Sequence, residues 1–242
     1  MPADHFGEEV AAGYDAALAA LFQSAYVDPV VDVLAGLARD GAALELGIGT
    51  GRIALPLAAR GVPVHGIDLS EAMVARLRAK PGAEGIEVAV GDFATTRVDG
   101  SFSLAYLVFN TIMNLTTQAE QVACFQNAAA HLEQGGCFVV EVMVPELQRL
   151  PPGEKVHPFS LTEEHLGFDE YDTVRQGLIS HHYRRRGELL FEERPIPFRY
   201  VWPAELDLMA RIAGLRLRER WAGWEREPFT AESRKHVSVW VK

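Results

Sequence analysis

The chain has 242 residues with 33 acidic against 23 basic side chains, a formal net charge of −10, and 48% hydrophobic residues. That is enough apolar material for one sizeable core, and the acidic balance argues against nucleic acid, whose binding rests on clustered Lys and Arg. No apolar run approaches the roughly 20 residues of a membrane span, and Met1–Ala12, with Asp4, Glu8 and Glu9, reads as neither signal nor transit peptide, so a cytoplasmic protein is expected. Two helices are predicted first. Tyr14-Asp15 leads an alanine-rich helix, and Asp28-Pro29 caps and opens another with Val30, Val33, Leu34 and Leu37 on one stripe.

Next comes Ala42-Ala43-Leu44-Glu45-Leu46-Gly47-Ile48-Gly49-Thr50-Gly51-Arg52. An apolar run ends in an acid, breaks into alternating glycines and resumes as Ile53–Ala59: a strand, a tight turn and a helix, the opening unit of a nucleotide-binding α/β sheet. Glycine at 47, 49 and 51 permits positive φ and leaves no Cβ to block a ligand against the backbone. Arg52 stands where a dinucleotide fingerprint has its last glycine, which disfavours an NAD(P)-dependent oxidoreductase, and no Gly-Lys-Ser/Thr makes a P-loop. Glu45 would repel a pyrophosphate.

An acid before GxGxG suits a nucleoside carrying positive charge, and here the chain resembles the class I S-adenosylmethionine-dependent methyltransferases. The resemblance covers about residues 10–145. It implies S-adenosylmethionine as cofactor, its methionyl end over the turn at Leu44–Gly51, and a helix tyrosine on its carboxylate, for which Tyr14 is the candidate ahead of Tyr26. A non-catalytic protein binding the same cofactor would carry the same motifs.

The second strand, Val62–Leu69, ends in Asp68, the acid roughly 20 residues past the glycines that takes ribose hydroxyls in such sheets. Ser70 and Glu71 read as the cap and first turn of the next helix. The third strand, Ile86–Val90, ends in Gly91-Asp92-Phe93. In the resembling family an acid and its apolar neighbour here recognise adenine, with Leu69 as candidate for the other ring face. The fourth strand, Phe102–Phe109, runs into Phe109-Asn110-Thr111-Ile112, where the amino-methyltransferases of bases or glutamine carry Asn-Pro-Pro-aromatic. Thr117 and Glu120 form a capping box, Gly135-Gly136 ends that helix, and Cys137–Val142 is the fifth strand. Glu45, Asp68, Asp92 and Asn110 thus recur at the carboxyl ends of successive strands, one rim where ligands bind. Cys124 and Cys137 make no metal or disulfide spacing, and no metal is expected.

Pro145–Trp202 departs from βαβ alternation. Thr173–Tyr183 and Glu188–Val201 read as strands of an antiparallel hairpin, with Arg184-Arg185-Arg186 and Gly187 at a solvated turn. This segment holds residues suited to reading a substrate: His157, His181, His182, Tyr183, Arg199, Tyr200 and Trp202. His181 and His182 face opposite sides of a strand. His157, as a base, and Tyr200, as an orienting hydroxyl, are the candidates for catalysis. Helix 203–213, with Pro203 first and Gly214 as its stop, then strands Leu215–Trp221 and His236–Val241, complete the sheet.

The expected architecture is therefore a Rossmann-like, doubly wound, mostly parallel sheet with an antiparallel last strand and an added antiparallel cover. It forms a single domain: N-terminal helices 1–40, cofactor-binding core 41–144, substrate cover 145–202 and end of core 203–242. The expected chemistry is methyl transfer to a nitrogen or oxygen of a small-molecule acceptor by in-line displacement, driven mainly by positioning. No nucleic-acid or membrane partner is expected, and the sequence leaves the oligomeric state open between monomer and homodimer.

Overall fold

A computed structural model describes residues 5–192 and 195–242. Helices α1 (Glu8–Ala17) and α2 (Ser24–Ala38) precede strand β1 (Ala43–Leu46). Then follow α3 (Ala54–Ala59), β2 (Val64–Asp68), α4 (Glu71–Arg78), β3 (Glu87–Val90), β4 (Phe102–Leu107), α5 (Gln118–His131) and β5 (Leu132–Met143). After the cover segment, α6 (Pro203–Ile212), β11 (Arg216–Trp221) and β12 (Lys235–Val241) finish a seven-stranded sheet of order β11-β12-β5-β4-β1-β2-β3. Strands β3-β2-β1-β4-β5 are parallel and β12 runs antiparallel to β5, as the doubly wound reading expects. Every residue of β1 and β4 is buried, the signature of parallel strands covered on both faces. Leu34, Leu57 and Leu77 cover one face, and Phe125 and Met209 cover the other, packed with Trp240 of the sheet itself. No described helix is long and apolar enough to cross a membrane.

Three local expectations are corrected. Asp28-Pro29 does not open the second helix: α2 begins at Ser24 with Pro29 inside it. The turn before the proline closes on Gln23, whose carbonyl accepts from the Tyr26 and Val27 N–H groups, while Asp28 instead pairs with Arg60. Gly135-Gly136 does not stop α5, which ends at His131 because Leu132 is already drawn into the sheet opposite Phe102. The glycines instead sit where the β4–β5 register shifts, Gly135 at φ +83°. The fourth strand stops at Leu107, two residues short of Phe109.

The cover is larger than a hairpin. It forms an antiparallel sheet of β6 (Val156–Leu161), β7 (His165–Asp172), β8 (Gly177–Arg186), β9 (Leu189–Glu192) and β10 (Ile196–Arg199), in which β9 pairs with β8 beside the path β10-β8-β7-β6. Thr173 lies in the β7–β8 turn, and the arginines belong to β8, with Gly187 in the following turn. The missed β6 and β7 carry Pro, Gly and charged residues that obscure strand alternation.

One buried ion pair fastens cover to core. Arg199 at the end of β10, 4% exposed, donates to Glu205 of α6 at 2.7 Å and also to Gln121 of α5 and Gln176. Burial pushes the Glu205 carboxyl up, but hydrogen bonds from Arg199, Gln176 and Gln118 outweigh it and leave the group below its usual range. Removing one partner of a buried pair strands the other charge, so Glu205→Ala should lower unfolding free energy by about 3–5 kcal/mol. Urea titration monitored by circular dichroism checks this; a change within 1 kcal/mol, on the order of an exposed pair, would show the pair to be dispensable.

Candidate active site

The glycine turn, the strand ends and the cover sheet enclose a cavity of about 440 Å³. Its shape begins with backbone. Gly47, Gly49 and Gly51 have φ of +77°, +55° and +82°, so the turn takes the conformation that β-carbons disfavour. The Gly49 N–H donates to Asp68 Oδ2 at 2.6 Å and the Ser70 N–H to Oδ1 at 2.9 Å, which ties turn, β2 and the start of α4 to one carboxylate. Ser70 caps α4 by accepting from the Met73 N–H.

At the end of β4 two consecutive non-glycine residues, Phe109 and Asn110, have φ of +57° and +61°. Such backbone persists only when neighbours overdetermine it. Here Glu141 Oε2 accepts from the Phe109 N–H, the Asn110 N–H donates to the Glu141 carbonyl, and Asn110 Oδ1 accepts from the Met143 N–H at 2.7 Å. The guanidinium of Arg52 lies 5.0 Å from the Phe109 ring centre. Glu141, invisible as a site residue in the sequence, thus braces the cavity wall.

Helix α1 closes another side. Thr50 Oγ1–H donates to Asp15 at 2.6 Å, Lys80 pairs with the same carboxylate, Arg76 pairs with Glu8, and Ser70 Oγ–H donates to the Phe6 carbonyl at 2.7 Å. Tyr14 stands in the wall with its ring edge-to-face against Phe6. Burial raises its hydroxyl pKa, with Arg52 opposing and Asp68 and Asp15 adding, so the phenol stays protonated and able to donate.

Nine of the residues singled out in the sequence line this cavity: Tyr14, Gly47, Gly49, Asp68, Leu69, Asp92, Phe93, Phe109 and Asn110. Four do not. Gly51 packs into the fold, where a β-carbon would lie 2.8 Å from Leu77. Tyr200 is fully buried against Tyr171, and His157 sits by Glu146 outside the cavity wall. The fourth is Glu45, buried beneath the turn, where the Tyr106 hydroxyl donates to it at 3.0 Å. Arg199, expected to read a substrate, is the buried anchor described above. Residues that sequence reasoning left out of the cofactor set or missed altogether also line the cavity: Phe6, Leu18, Met73, Leu115, Ile196 and Phe198, with Ser180 and His182 of β8. Among the described residues no cluster of three or more metal-ligating side chains occurs.

The wall suits a nucleoside. Two carboxylates on neighbouring strand ends can accept from hydroxyls and an amine, Leu69, Met73 and Phe93 offer apolar surface, and a β-carbon at Gly49 would meet only the Met73 methyl at 3.5 Å. The comparisons agree. A family model for a methyltransferase domain matches residues 43–136. The solved structure of the CcbJ methyltransferase from Streptomyces caelestis is 40% identical, covers 88% of this chain and 88% of its own, and superposes with a TM-score of 0.78. This chain belongs to the class I S-adenosylmethionine-dependent methyltransferases. Its cofactor is S-adenosylmethionine, and the oxidoreductase and non-catalytic readings fall away. A cypemycin N-terminal methyltransferase from a Streptomyces species is 29% identical over 201 residues, 81% of each chain. The structure of S-adenosylmethionine-bound CalS10, an amino pentose methyltransferase from Micromonospora echinaspora, shares the fold at TM-score 0.72 and 23% identity, covering 95% of this chain and 96% of that one.

In the methyltransferase, burial pushes the Glu45 carboxyl up to about 8 against the opposing Tyr106 hydrogen bond and Arg52 charge. Near neutral pH the folded protein keeps Glu45 protonated while the unfolded chain ionises it. The stability that this neutral group contributes is complete at acid pH and is lost as pH rises from the ordinary carboxyl range through about 8. Glu45→Gln, which keeps the shape and cannot ionise, should remove a slope of up to about 1.4 kcal/mol per pH unit in that window. Thermal unfolding of both proteins from acid to mildly alkaline pH checks this; parallel profiles would show that Glu45 is ionised in the fold.

Proposed function

We propose that the enzyme methylates the nitrogen of a small-molecule amine, binding S-adenosylmethionine along the strand-end rim and the amine under the cover sheet. The observation that carries this reading is the composition of the shared wall. Beyond the rim it consists of Phe6, Leu18, Leu115, Ile196 and Phe198 with the neutral polar groups of Thr111, Asn114 and Ser180 and two imidazoles, His5 and His182, and its described lining has no Lys or Arg. An amine needs only to shed one proton to present a lone pair, which an imidazole can accept near neutral pH. A hydroxyl needs far stronger activation. The name of the cypemycin N-terminal methyltransferase supports the choice.

On this reading Asp68 accepts from the ribose hydroxyls. Asp92 and the backbone at Phe93 take adenine, with Leu69 against its other face. Gly47, Gly49 and Tyr14 hold the methionyl end, while Phe109 and Asn110 border the transfer region. The bound cofactor supplies a methyl group already activated on a sulfonium. The protein's own contribution is alignment of the amine, exclusion of water by α1 and the cover, and removal of a proton.

Asp68→Ala should weaken S-adenosylhomocysteine binding by about 1.5–3 kcal/mol, the range for hydrogen bonds to a charged group. Calorimetry beside circular dichroism tests it, and unchanged affinity in a folded variant would leave Asp68 only its bonds to Gly49 and Ser70. For the acceptor, the purified enzyme with S-adenosylmethionine is offered amino sugars and peptides with free N-termini, each beside its hydroxyl analogue. Mass spectrometry should find one methyl group added to an amine and none to the matched hydroxyl; methylation confined to hydroxyls would overturn the proposal.

A further inference from the structure

The turn after β4 meets both walls of the cavity. Thr111–Asn114 forms one 3₁₀ turn directly behind the left-handed pair Phe109-Asn110, and both β5 and the cover strand β10 pack against it. Thr111 Oγ1–H secures its start by donating to the Val108 carbonyl at 2.7 Å. Gln121 of α5, fully buried, ties it to the cover: the amide nitrogen lies within 3.3 Å of the Ile112, Leu115 and Arg199 carbonyls. Ile112 and Met113 are buried, while Thr111 and Asn114 line the cavity. The turn therefore stands where the strand-end rim gives way to the cover.

Two asparagines border this corner, and backbone partners fix which way each amide faces. The Met143 N–H can only donate, so the Asn110 atom it meets at 2.7 Å is the oxygen, and Asn110 has only N–H donors left to offer. The Thr111 carbonyl can only accept, so the Asn114 atom it meets at 3.2 Å is the nitrogen. Among the described residues Asn114 Oδ1 takes no hydrogen bond, and it keeps accessible surface instead of being sealed in the fold. Asn114 thus brings to the wall an amide oxygen, the negative end of a dipole whose direction the backbone sets.

We propose that Asn114 Oδ1 holds the nitrogen of the methyl acceptor. The proposal rests on the amine reading above for the identity of that acceptor. A neutral amine that donates one N–H to Oδ1 keeps its lone pair free to face the methyl group. The lone pair forms the bond to the methyl carbon, and the carbon–sulfur bond breaks with its electron pair left on sulfur. Positive charge passes from sulfur to nitrogen, the methylated product leaves as an ammonium, and its proton goes to water afterwards. The N–H on Oδ1 gains positive character throughout the step, so the bond is stronger in the transition state than in the ground state. A dipole already fixed toward the developing charge needs no reorganisation. The N–H groups of Asn110 do not suit this role, because they would compete for the lone pair.

The first test needs no acceptor. Sinefungin carries an ammonium-bearing carbon where S-adenosylmethionine has its methyl sulfonium, and S-adenosylhomocysteine lacks that group. By calorimetry, Asn114→Leu should weaken sinefungin binding roughly tenfold or more while S-adenosylhomocysteine affinity stays within about twofold of the parent. Asn114→Asp, which keeps an acceptor there, should bind sinefungin at least as tightly as the parent does. Circular dichroism checks the fold of both variants. In a folded variant, sinefungin affinity that does not change with Asn114→Leu, or that falls by the same factor as S-adenosylhomocysteine affinity, overturns the proposal. If Asn114→Leu does not fold, Asn114→Asp decides: weaker sinefungin binding with parental S-adenosylhomocysteine affinity overturns it.

Turnover gives the second test. For an amine that the parent methylates, Asn114→Leu should lower kcat roughly tenfold to a hundredfold, with a smaller change in KM. Asn114→Asp should move the rise of kcat with pH upward by about a pH unit, because a carboxylate favours the bound ammonium over the reactive amine. The titratable groups lining the cavity, His5, Tyr14, Asp68, Asp92 and His182, are common to parent and variant, so the difference reads position 114. Parental kcat in folded Asn114→Leu overturns the assignment. If the parent methylates no amine, the acceptor reading fails, and the sinefungin comparison alone decides the role of Asn114.

Discussion

One carboxylate organises the glycine-turn wall of the cavity. Asp68 accepts from the backbone of Gly49 and of Ser70, and those two bonds join the glycine turn, β2 and the start of α4, beside the bonds that the Gly47 and Ile48 N–H groups donate to the Ile67 carbonyl. The glycine turn is held in a backbone conformation of positive φ, β2 is terminated, and α4 starts where its cap requires. A charge so engaged stays at the cavity surface, where a hydrogen bond to a charged group contributes more than one between neutral partners. The same residue thus braces the turn and lines the cavity.

The opposite wall is built by a different device. The left-handed pair Phe109-Asn110 is strained, and bonds to Glu141 and Met143 from both its backbone and its Asn110 side chain hold it. Those partners lie on β5, the strand next to β4, so the wall's position is set by the sheet itself. The cover, in turn, is tied through Arg199 to α5 and α6, on the sheet face away from the glycine turn. Strand-end rim and cover sheet therefore report to one sheet by independent anchors. Methyl transfer needs alignment above all, and this layout supplies it.

The two buried carboxyls show how environment divides one chemistry into two roles. At Glu45 burial outweighs the Tyr106 hydrogen bond and the opposing charge of Arg52, and the carboxyl stays protonated near neutral pH. Glu205 has Arg199 and two glutamine amides, and stays ionised. The first supports the turn from below without placing a charge there. The second secures the cover, and its removal would leave a buried guanidinium unpaired.

Much of this was legible in the chain itself. The glycine spacing, the acids at 45, 68 and 92 and the capped helices belong to segments whose residues act on near neighbours, so local spacing carries their geometry: positive φ in the turn, acids at strand ends, Ser70 and Thr117 as caps. What failed were features decided by distant partners. Gly135-Gly136 looked like a helix stop until pairing with β4 showed them inside a strand, and Asp28-Pro29 looked like a helix start although α2 begins earlier. His157 and Tyr200 looked catalytic by residue type, yet which face of a cover strand meets the cavity depends on register, and register follows from a turn and from packing against the core. Sequence determined the family, the cofactor and the acids of the rim, because those depend on short stretches of backbone that must fit one ligand. Only the tertiary structure decided that His182 and Ser180, and not their neighbours, reach the cavity, because a shift of one residue along a strand turns every side chain to the other face.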